Sequence, residues 1–221
     1  MKELIQITDD MNGYGYPWVW NTIPFHYDST CPVCGNPAYE DGWYPEREVM
    51  CETEKGTRYP DALANISHLI IVSDRVLHGF YDHGVTGFTP FPIVIGARSK
   101  KLQDVNPPVY WHLRVDGRCE LDLEAMGTKV TVFCNRCYYS ELEKVEGFGF
   151  IVKEGTWDGS DLFLCEYRDR YQFCSPKVFE LAKQFQWTNF EFTHAEDISD
   201  INHFPRVIPH IKGKKPPLWK R

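Results

Sequence analysis

The stretches Cys31-Pro32-Val33-Cys34-Gly35 and Cys134-Asn135-Arg136-Cys137 each place two thiols three positions apart, on what the sequence predicts to be tight turns. Two such turns supply four soft ligands, the tetrahedral set that a structural zinc ion takes. The chain has 8 cysteines, and two CxxC pairs among so few favour a shared metal site. We expect Cys31, Cys34, Cys134 and Cys137 to bind a structural Zn²⁺, because four protein ligands leave no open position for catalysis.

A redox dithiol and metal-free structural cysteines stay open as alternatives. A redox pair needs its first cysteine at the N-terminus of a helix, which lowers the pKa of the thiol. The sequence Gly35-Asn36-Pro37 prevents a helix after the first pair, whereas a helix over residues 140–145 can be drawn after the second. The redox interpretation is therefore disfavoured at the first pair and less so at the second.

Composition describes an ordinary globular chain of 221 residues, with 43% hydrophobic and 25% charged residues. The net charge of −7 disfavours nucleic acid as a partner, since phosphate binding needs a basic face, and it suits a basic protein partner or simple solubility. The first ten residues lack the apolar segment of a signal peptide, and no apolar run reaches membrane-spanning length. We expect a cytoplasmic protein that does not contact a membrane.

Local patterns predict an α+β fold, treated as one domain over residues 1–221. The apolar run 69–72 predicts a buried strand, followed by a helix that is capped at Ser73 or Asp74 and buries Val76, Leu77, Phe80 and Tyr81. Residues 88–95 predict a strand at a sheet edge, because Pro90 and Pro92 cannot donate hydrogen bonds. Residues 1–30 after the opening apolar run, and residues 36–60, are rich in Gly and Pro and predict irregular structure.

The second part of the chain predicts more strands and one more helix. Residues 109–115 and 118–123 are expected to form a hairpin around Asp116-Gly117, and a strand over 129–133 runs into the second cysteine pair. Further strands are predicted around 148–152 and at 162–165, 171–174 and 189–193. Ser175 and Pro176 predict the start of a helix over 177–186, and residues 211–221 predict a flexible basic tail.

The two strand–helix–strand units resemble one another. Residues 72–77 align with residues 174–179, and the capping serine precedes the returning phenylalanine by the same distance in both units, from Ser73 to Phe88 and from Ser175 to Phe190. The sequence distance from the cysteine pair to the serine is also nearly the same in both units, from Cys31 to Ser73 and from Cys134 to Ser175. We therefore expect two related halves on β-sheet, residues 15–97 and 108–200, each with a cysteine pair and a strand–helix–strand unit, joined by the zinc site. A chance recurrence of a common pattern is the alternative.

Motifs that indicate catalysis are missing from the sequence. It holds no GxSxG, P-loop, GxGxxG or HExxH pattern, and we predict neither catalytic residues nor an enzyme. Cys51, Cys119, Cys165 and Cys174 are interpreted as small buried residues, and His68 and His112 as core histidines. Acidic residues concentrate between Glu141 and Asp200, where they form either a solvated face or a docking surface for a basic protein.

The order of these motifs resembles the double-CxxCG proteins, a family related to the immunity proteins of bacterial polymorphic, contact-dependent toxin systems. The resemblance rests on CPxCG at 31–35 after an aromatic Gly/Pro-rich segment, the strand–Ser–helix unit 69–81, the second CxxC, and the closing unit 173–179. It spans most of residues 15–197. The second pair departs from the family pattern, because Tyr138 stands where the family has glycine.

The resemblance implies a cytosolic, non-catalytic immunity protein that binds and neutralises a cognate toxin, with the four cysteines as ligands of its structural zinc. The alternative from another class is a zinc-ribbon regulatory or nucleic-acid-binding module. The acidic balance of the chain and the lack of a basic, aromatic-interleaved patch disfavour that alternative.

Overall fold

The computed structural model describes residues 5–9, 18–21, 33, 49–54, 57–65, 70–96, 98, 100–134, 140–143, 149–165 and 168–194. The strands are β1 (Ile5–Asp9), β2 (Trp18–Asn21), β3 (Val49–Glu54), β4 (Ala64–Asn65), β5 (Ile70–Ser73), β6 (Phe88–Ile95), β7 (Tyr110–Val115), β8 (Gly117–Cys119), β9 (Val130–Phe133), β10 (Ser140–Leu142), β11 (Leu162–Cys165), β12 (Arg168–Cys174) and β13 (Phe190–His194). The helices are α1 (Asp74–Asp82) and α2 (Pro176–Gln184). Helices and sheets together make a mixed α+β fold, as predicted.

The strands form two larger sheets and one small one. The first sheet has the order β4-β2-β3-β6-β7-β5, and the second has the order β13-β1-β12-β11-β8. Strands β9 and β10 pair with each other as an antiparallel hairpin. The first sheet contains β7 from the second half of the chain, and the second sheet contains β1 from its beginning.

Both helices begin as the sequence predicts, at Ser73 and at Ser175 with Pro176 in the first turn. Neither serine side chain caps its own helix, because both hydroxyls donate to aspartates instead. Helix α1 buries Val76, Leu77 and Phe80, and helix α2 buries Val178, Leu181 and Ala182. The predicted burial of Tyr81 is wrong: it is 56% exposed.

The main hydrophobic core joins residues from both halves of the chain. Side chains of β1, β5, β7, β11 and β13 and of both helices pack into one cluster. Within it Trp187, which follows α2, packs edge-on against Phe80 of α1 with ring centroids 5.4 Å apart. The two helices are therefore part of one core rather than of two separate ones.

Several local predictions need correction. The hairpin predicted at Asp116-Gly117 is not formed, because β8 pairs in parallel with β11 of the second sheet while β7 stays in the first. Strand β6 is not an edge strand: β7 pairs with it from Phe88 to Ile93, and β3 pairs with residues 93–95, beyond both prolines. Among the described residues the two prolines pair with β7 alone, and a strand position that is paired on one side accommodates a proline.

Two segments predicted to be irregular contain strands, namely β2 and β3, and the strand predicted around 148–152 is reduced to a bridge between Leu121 and Val152. The helix drawn over 140–145 is replaced by strand β10 at residues 140–142. The basic tail at 211–221 lies outside the described residues, as do Cys31, Cys34, Cys137 and His68.

Candidate functional site

The first cysteine of the second pair, Cys134, lies at the loop end of the β9–β10 hairpin. Cys134 directly follows β9 and is 3% exposed, and the hairpin pairs Phe133 with Ser140. Strand β10 occupies residues 140–142, which the sequence allowed to begin a helix. Because a redox pair needs a helix to lower the pKa of its thiol, the strand disfavours a redox dithiol at this pair.

The structure places one of the four predicted zinc ligands, Cys134, and the other three lie outside the described residues. Val33, between the cysteines of the first pair, lies in a turn and is 71% exposed. No group of three or more His, Cys, Asp or Glu side chains that could hold a metal occurs among the residues that the structure describes. The set of four thiols is the chemistry that fits Zn²⁺, and a buried thiol at the hairpin end is compatible with it.

Strand β9 itself is largely exposed. Val132 and Phe133 have exposed fractions of 38% and 48%, immediately before the buried Cys134. Beyond the partner strand, Glu143 is exposed and lies 3.6 Å from the Lys129 ammonium group. The hairpin thus presents apolar and acidic side chains beside the second cysteine pair, a composition suited to a protein partner.

A second concentration of polar chemistry surrounds Asp61, whose side chain is 10% exposed. Its Oδ1 accepts from the Ser73 hydroxyl at 3.0 Å, and its Oδ2 accepts from Arg75 at 2.9 Å. The backbone N–H and the hydroxyl of Thr188 also donate to Oδ2, at 2.9 and 3.1 Å. Arg75 donates in addition to the carbonyl of Phe185.

Asp161, whose side chain is 14% exposed, has the same kinds of partner. Its Oδ1 accepts from the Ser175 hydroxyl at 2.7 Å, and its Oδ2 accepts from Lys177 at 3.2 Å. The backbone N–H and the hydroxyl of Thr86 donate to Oδ2, at 3.0 and 3.3 Å. Lys177 donates in addition to the carbonyl of Gly84.

The two aspartate clusters are reciprocal. Thr188 follows helix α2 but binds the aspartate beside α1, whereas Thr86 follows α1 and binds the aspartate beside α2. Both carboxylates accept three or more hydrogen bonds from the protein, so they are suited to fastening segments together rather than to acting as general bases. Neither cluster was predicted from the sequence, although Thr86-Gly87-Phe88 and Thr188-Asn189-Phe190 stand at equal distances after Ser73 and Ser175.

Three of the remaining cysteines are buried, as predicted: Cys119, Cys165 and Cys174. The Sγ atoms of Cys119 and Cys165 lie 2.9 Å apart on neighbouring strands. Burial, together with the hydrogen bond to Cys119, raises the pKa of the Cys165 thiol well above its ordinary value. The Cys165 thiol is therefore protonated and unreactive while the native fold stays closed.

His112 is completely buried in β7, as predicted, and its ring stacks on Phe91. Burial, with a smaller effect of the Arg114 charge, lowers the pKa of His112 from 6.5 to about 4. The unfolded chain therefore binds this proton more readily than the folded protein. The resulting stability is complete above pH 6.5 and is lost as the pH falls from there towards 4.

We expect the His112→Gln variant to lose this pH dependence. Between pH 7.5 and pH 5 the wild-type histidine lowers the free energy of unfolding by about 2 kcal/mol, a loss that glutamine cannot produce because it does not titrate. Urea unfolding of both proteins at the two pH values measures the difference. His78→Gln, at a side chain that is 69% exposed, is the control for removing an imidazole. Equal pH dependence in wild type and His112→Gln would contradict the assignment.

Comparisons with known proteins give no relative: no described protein family matches the chain, and no curated protein does. Among the described residues, no helix is long and apolar enough to cross a membrane.

Proposed function

We propose that this chain is an immunity protein, a non-catalytic binder that neutralises a cognate, basic toxin in the bacterial cytoplasm. The observation that carries the proposal is the β9–β10 hairpin, which presents Val132 and Phe133 beside the second cysteine pair. A net charge of −7 favours a basic partner. The order of motifs that resembles the double-CxxCG proteins supports the same function.

The proposal is tested by survival of a bacterial host. The reading frame adjacent to the gene for this chain is expressed as the candidate toxin, alone and together with this protein. We expect killing by the candidate toxin alone, rescue by the wild-type chain, and co-purification of the two proteins. The Phe133→Glu variant, changed at a half-exposed side chain, should fold normally and rescue poorly. Killing without rescue by the wild-type chain would overturn the immunity function.

We further propose that Cys31, Cys34, Cys134 and Cys137 hold one structural Zn²⁺. When bound, the ion supplies a cross-link between segments about 100 residues apart, which restricts the unfolded chain. The four cysteines would bind the ion as thiolates and would leave no coordination position for water. The burial of Cys134 at the end of β9 supports this role.

Replacing either Cys34 or Cys137 with serine should abolish zinc binding and lower stability by several kcal/mol, because a structural zinc site contributes its binding energy to folding. Metal analysis of the purified protein and thermal unfolding measure the two effects. Cys174→Ala is the control: it removes a buried thiol that is not a predicted ligand, so it should keep the zinc. Unchanged metal content and melting temperature in both serine variants would contradict the zinc site.

Finally, we infer that residues 15–97 and 108–200 are two related halves. Corresponding residues of the two aspartate clusters are nearly equally spaced: Asp161 stands 100 positions after Asp61, and Ser175 stands 102 positions after Ser73. Thr188 likewise stands 102 positions after Thr86. Matching side-chain contacts at matching spacings favour a relation between the halves over a chance recurrence.

A further inference from the structure

We propose that the two halves have exchanged their first strands, so that this chain is a strand-swapped dimer fused into one polypeptide. The proposal rests on the relation between the halves and extends the first of them back to Ile5. Strand β1 opens the first half but lies between β12 and β13 of the second. Strand β7 opens the second half but lies between β5 and β6 of the first.

The pairing registers show that β1 and β7 occupy equivalent places. Ile5 pairs with Cys174 on one side and with His194 on the other. Trp111 pairs with Val72 on one side and with Pro92 on the other. Val72 stands 102 positions before Cys174, and Pro92 stands 102 positions before His194. The far ends agree as well, because Asp9 pairs with Phe190, and Val115 pairs with Phe88, again 102 positions apart. Strand β1 therefore occupies in the second half the position that β7 occupies in the first half.

The exchange is confined to the first strand of each half. In the first half β2 pairs in parallel with β4, aligning Val19 with Asn65. In the second half β8 pairs in parallel with β11, aligning Cys119 with Cys165, each 100 positions later. The second strands thus remain in their own halves. In the second half a single residue, Asp116, separates β7 from β8 and carries the chain from the first sheet to the second.

Reciprocal contacts fasten the exchanged halves. The N–H of Ala62 donates to the carbonyl of Thr188 at 3.1 Å, and the N–H of Leu162 donates to the carbonyl of Thr86 at 3.0 Å. These backbone bonds join the same segments as the two aspartate clusters. In a two-fold interface each contact from one half to the other occurs a second time in the reverse direction. The two backbone bonds have this relation.

The test cuts the full-length protein between its halves. A protease recognition sequence is inserted between Asp104 and Val105, two exposed residues of the segment that connects β6 to β7. Cysteine pairs are then introduced at aligned positions: Thr8→Cys with Glu191→Cys for the β1 exchange, and Thr89→Cys with Arg114→Cys for the β7 exchange. Directly opposed residues of antiparallel strands are close enough for a disulfide.

After oxidation and cleavage, we expect each double variant to run as one joined species on a denaturing gel without reductant, and as two fragments with it. A pair within the first half, Val19→Cys with Thr53→Cys, is the matched control and should leave the fragments separate. Single-cysteine variants control for the native thiols. Separate fragments in either exchange variant, with the protein folded before cleavage, would overturn the exchange while leaving the immunity function untouched.

A different observation carries a second proposal: the geometry points to Cys119 and Cys165 as a pair that forms a disulfide on oxidation. Their Sγ atoms are 2.9 Å apart, and the two residues are aligned on adjacent strands. Strand β8 is the outermost strand of the second sheet as described, so its local opening exposes both thiols. The oxidant is a small-molecule disulfide such as oxidised glutathione. It accepts two electrons and two protons from the thiols and leaves as two reduced molecules.

Incubation of the native protein with oxidised glutathione should produce one Cys119–Cys165 disulfide, identified by peptide mapping. The disulfide should raise the melting temperature by about 8 °C or more, because it closes a long loop. Cys119→Ser should abolish both effects, and Cys174→Ser should keep them. Recovery of Cys119 and Cys165 as thiols, at an oxidant concentration that cross-links other surface dithiols, would overturn the proposal.

Discussion

Replacing Gly87 with alanine should destabilise the protein by more than about 4 kcal/mol, a large part of the total stability of a typical domain. Gly87 has φ +89°, and an added Cβ would stand 2.1 Å from the carbonyl oxygen of Leu162 and 2.7 Å from Cβ of Ser160. The nearest atom belongs to backbone whose N–H is already bonded to Thr86. The clash therefore cannot be relieved without separating the two halves where they meet.

Gly159 provides a matched control for this substitution. Its φ is +88°, nearly that of Gly87, but nothing lies within 4 Å of the Cβ position. Gly159→Ala therefore carries the conformational cost alone, about 1–2 kcal/mol. Urea unfolding of both variants separates the cost of the backbone conformation from that of the clash. Equal destabilisation would show that the approach of the backbones at Gly87 is not as close as described.

Replacing Asp61 with alanine should cost about 2–4 kcal/mol, because it leaves buried hydrogen-bond donors without an acceptor. The variant leaves the Ser73 hydroxyl and the N–H and hydroxyl of Thr188 without their acceptor, and it leaves Arg75 without its counter-ion. Because Thr188 belongs to the opposite half, the loss weakens the joint between the halves as well as the start of helix α1. Chemical unfolding measures the change.

Asp116 is the control for the loss of an aspartate. Its carboxylate also accepts from a threonine and an arginine, Thr89 and Arg114, but its side chain is 39% exposed. Asp116→Ala should therefore cost about 1 kcal/mol or less. A destabilisation by Asp61→Ala as small as that of Asp116→Ala would contradict a fastening role for the Asp61 cluster.

Local structure followed from the sequence where local rules determine it. Both helices begin directly after the predicted serines, whose backbone is extended, and Pro176 suits the first turn of α2. The apolar run predicted as a strand at 69–72 has its described residues, 70–72, buried in β5, and the run at 162–165 is fully buried as β11. His112 and three of the isolated cysteines lie in the core, as their surroundings in the sequence suggested.

Features that depend on distant partners did not follow from the sequence. Asp116-Gly117 has the composition of a hairpin turn, yet the chain passes there from one sheet to the other, since β8 finds its partner more than 40 residues later. Asp61 accepts hydrogen bonds from Thr188, which is 127 residues away in the chain. The sequence around Asp61 gives no indication of this partner. Of the zinc site, the structure shows the placement of Cys134, and the metal remains a proposal.

The position of β1 has a consequence for synthesis of the protein on the ribosome. Residues 5–9 emerge early, but their partner β13 begins at residue 190. Roughly 180 residues of translation separate the two strands, about 10 to 40 seconds at ordinary translation rates. The other partner of β1, strand β12, also emerges late, because it ends at residue 174. Nascent chains that stall before β13 therefore cannot complete the second sheet, and β1 keeps one unpaired edge in them.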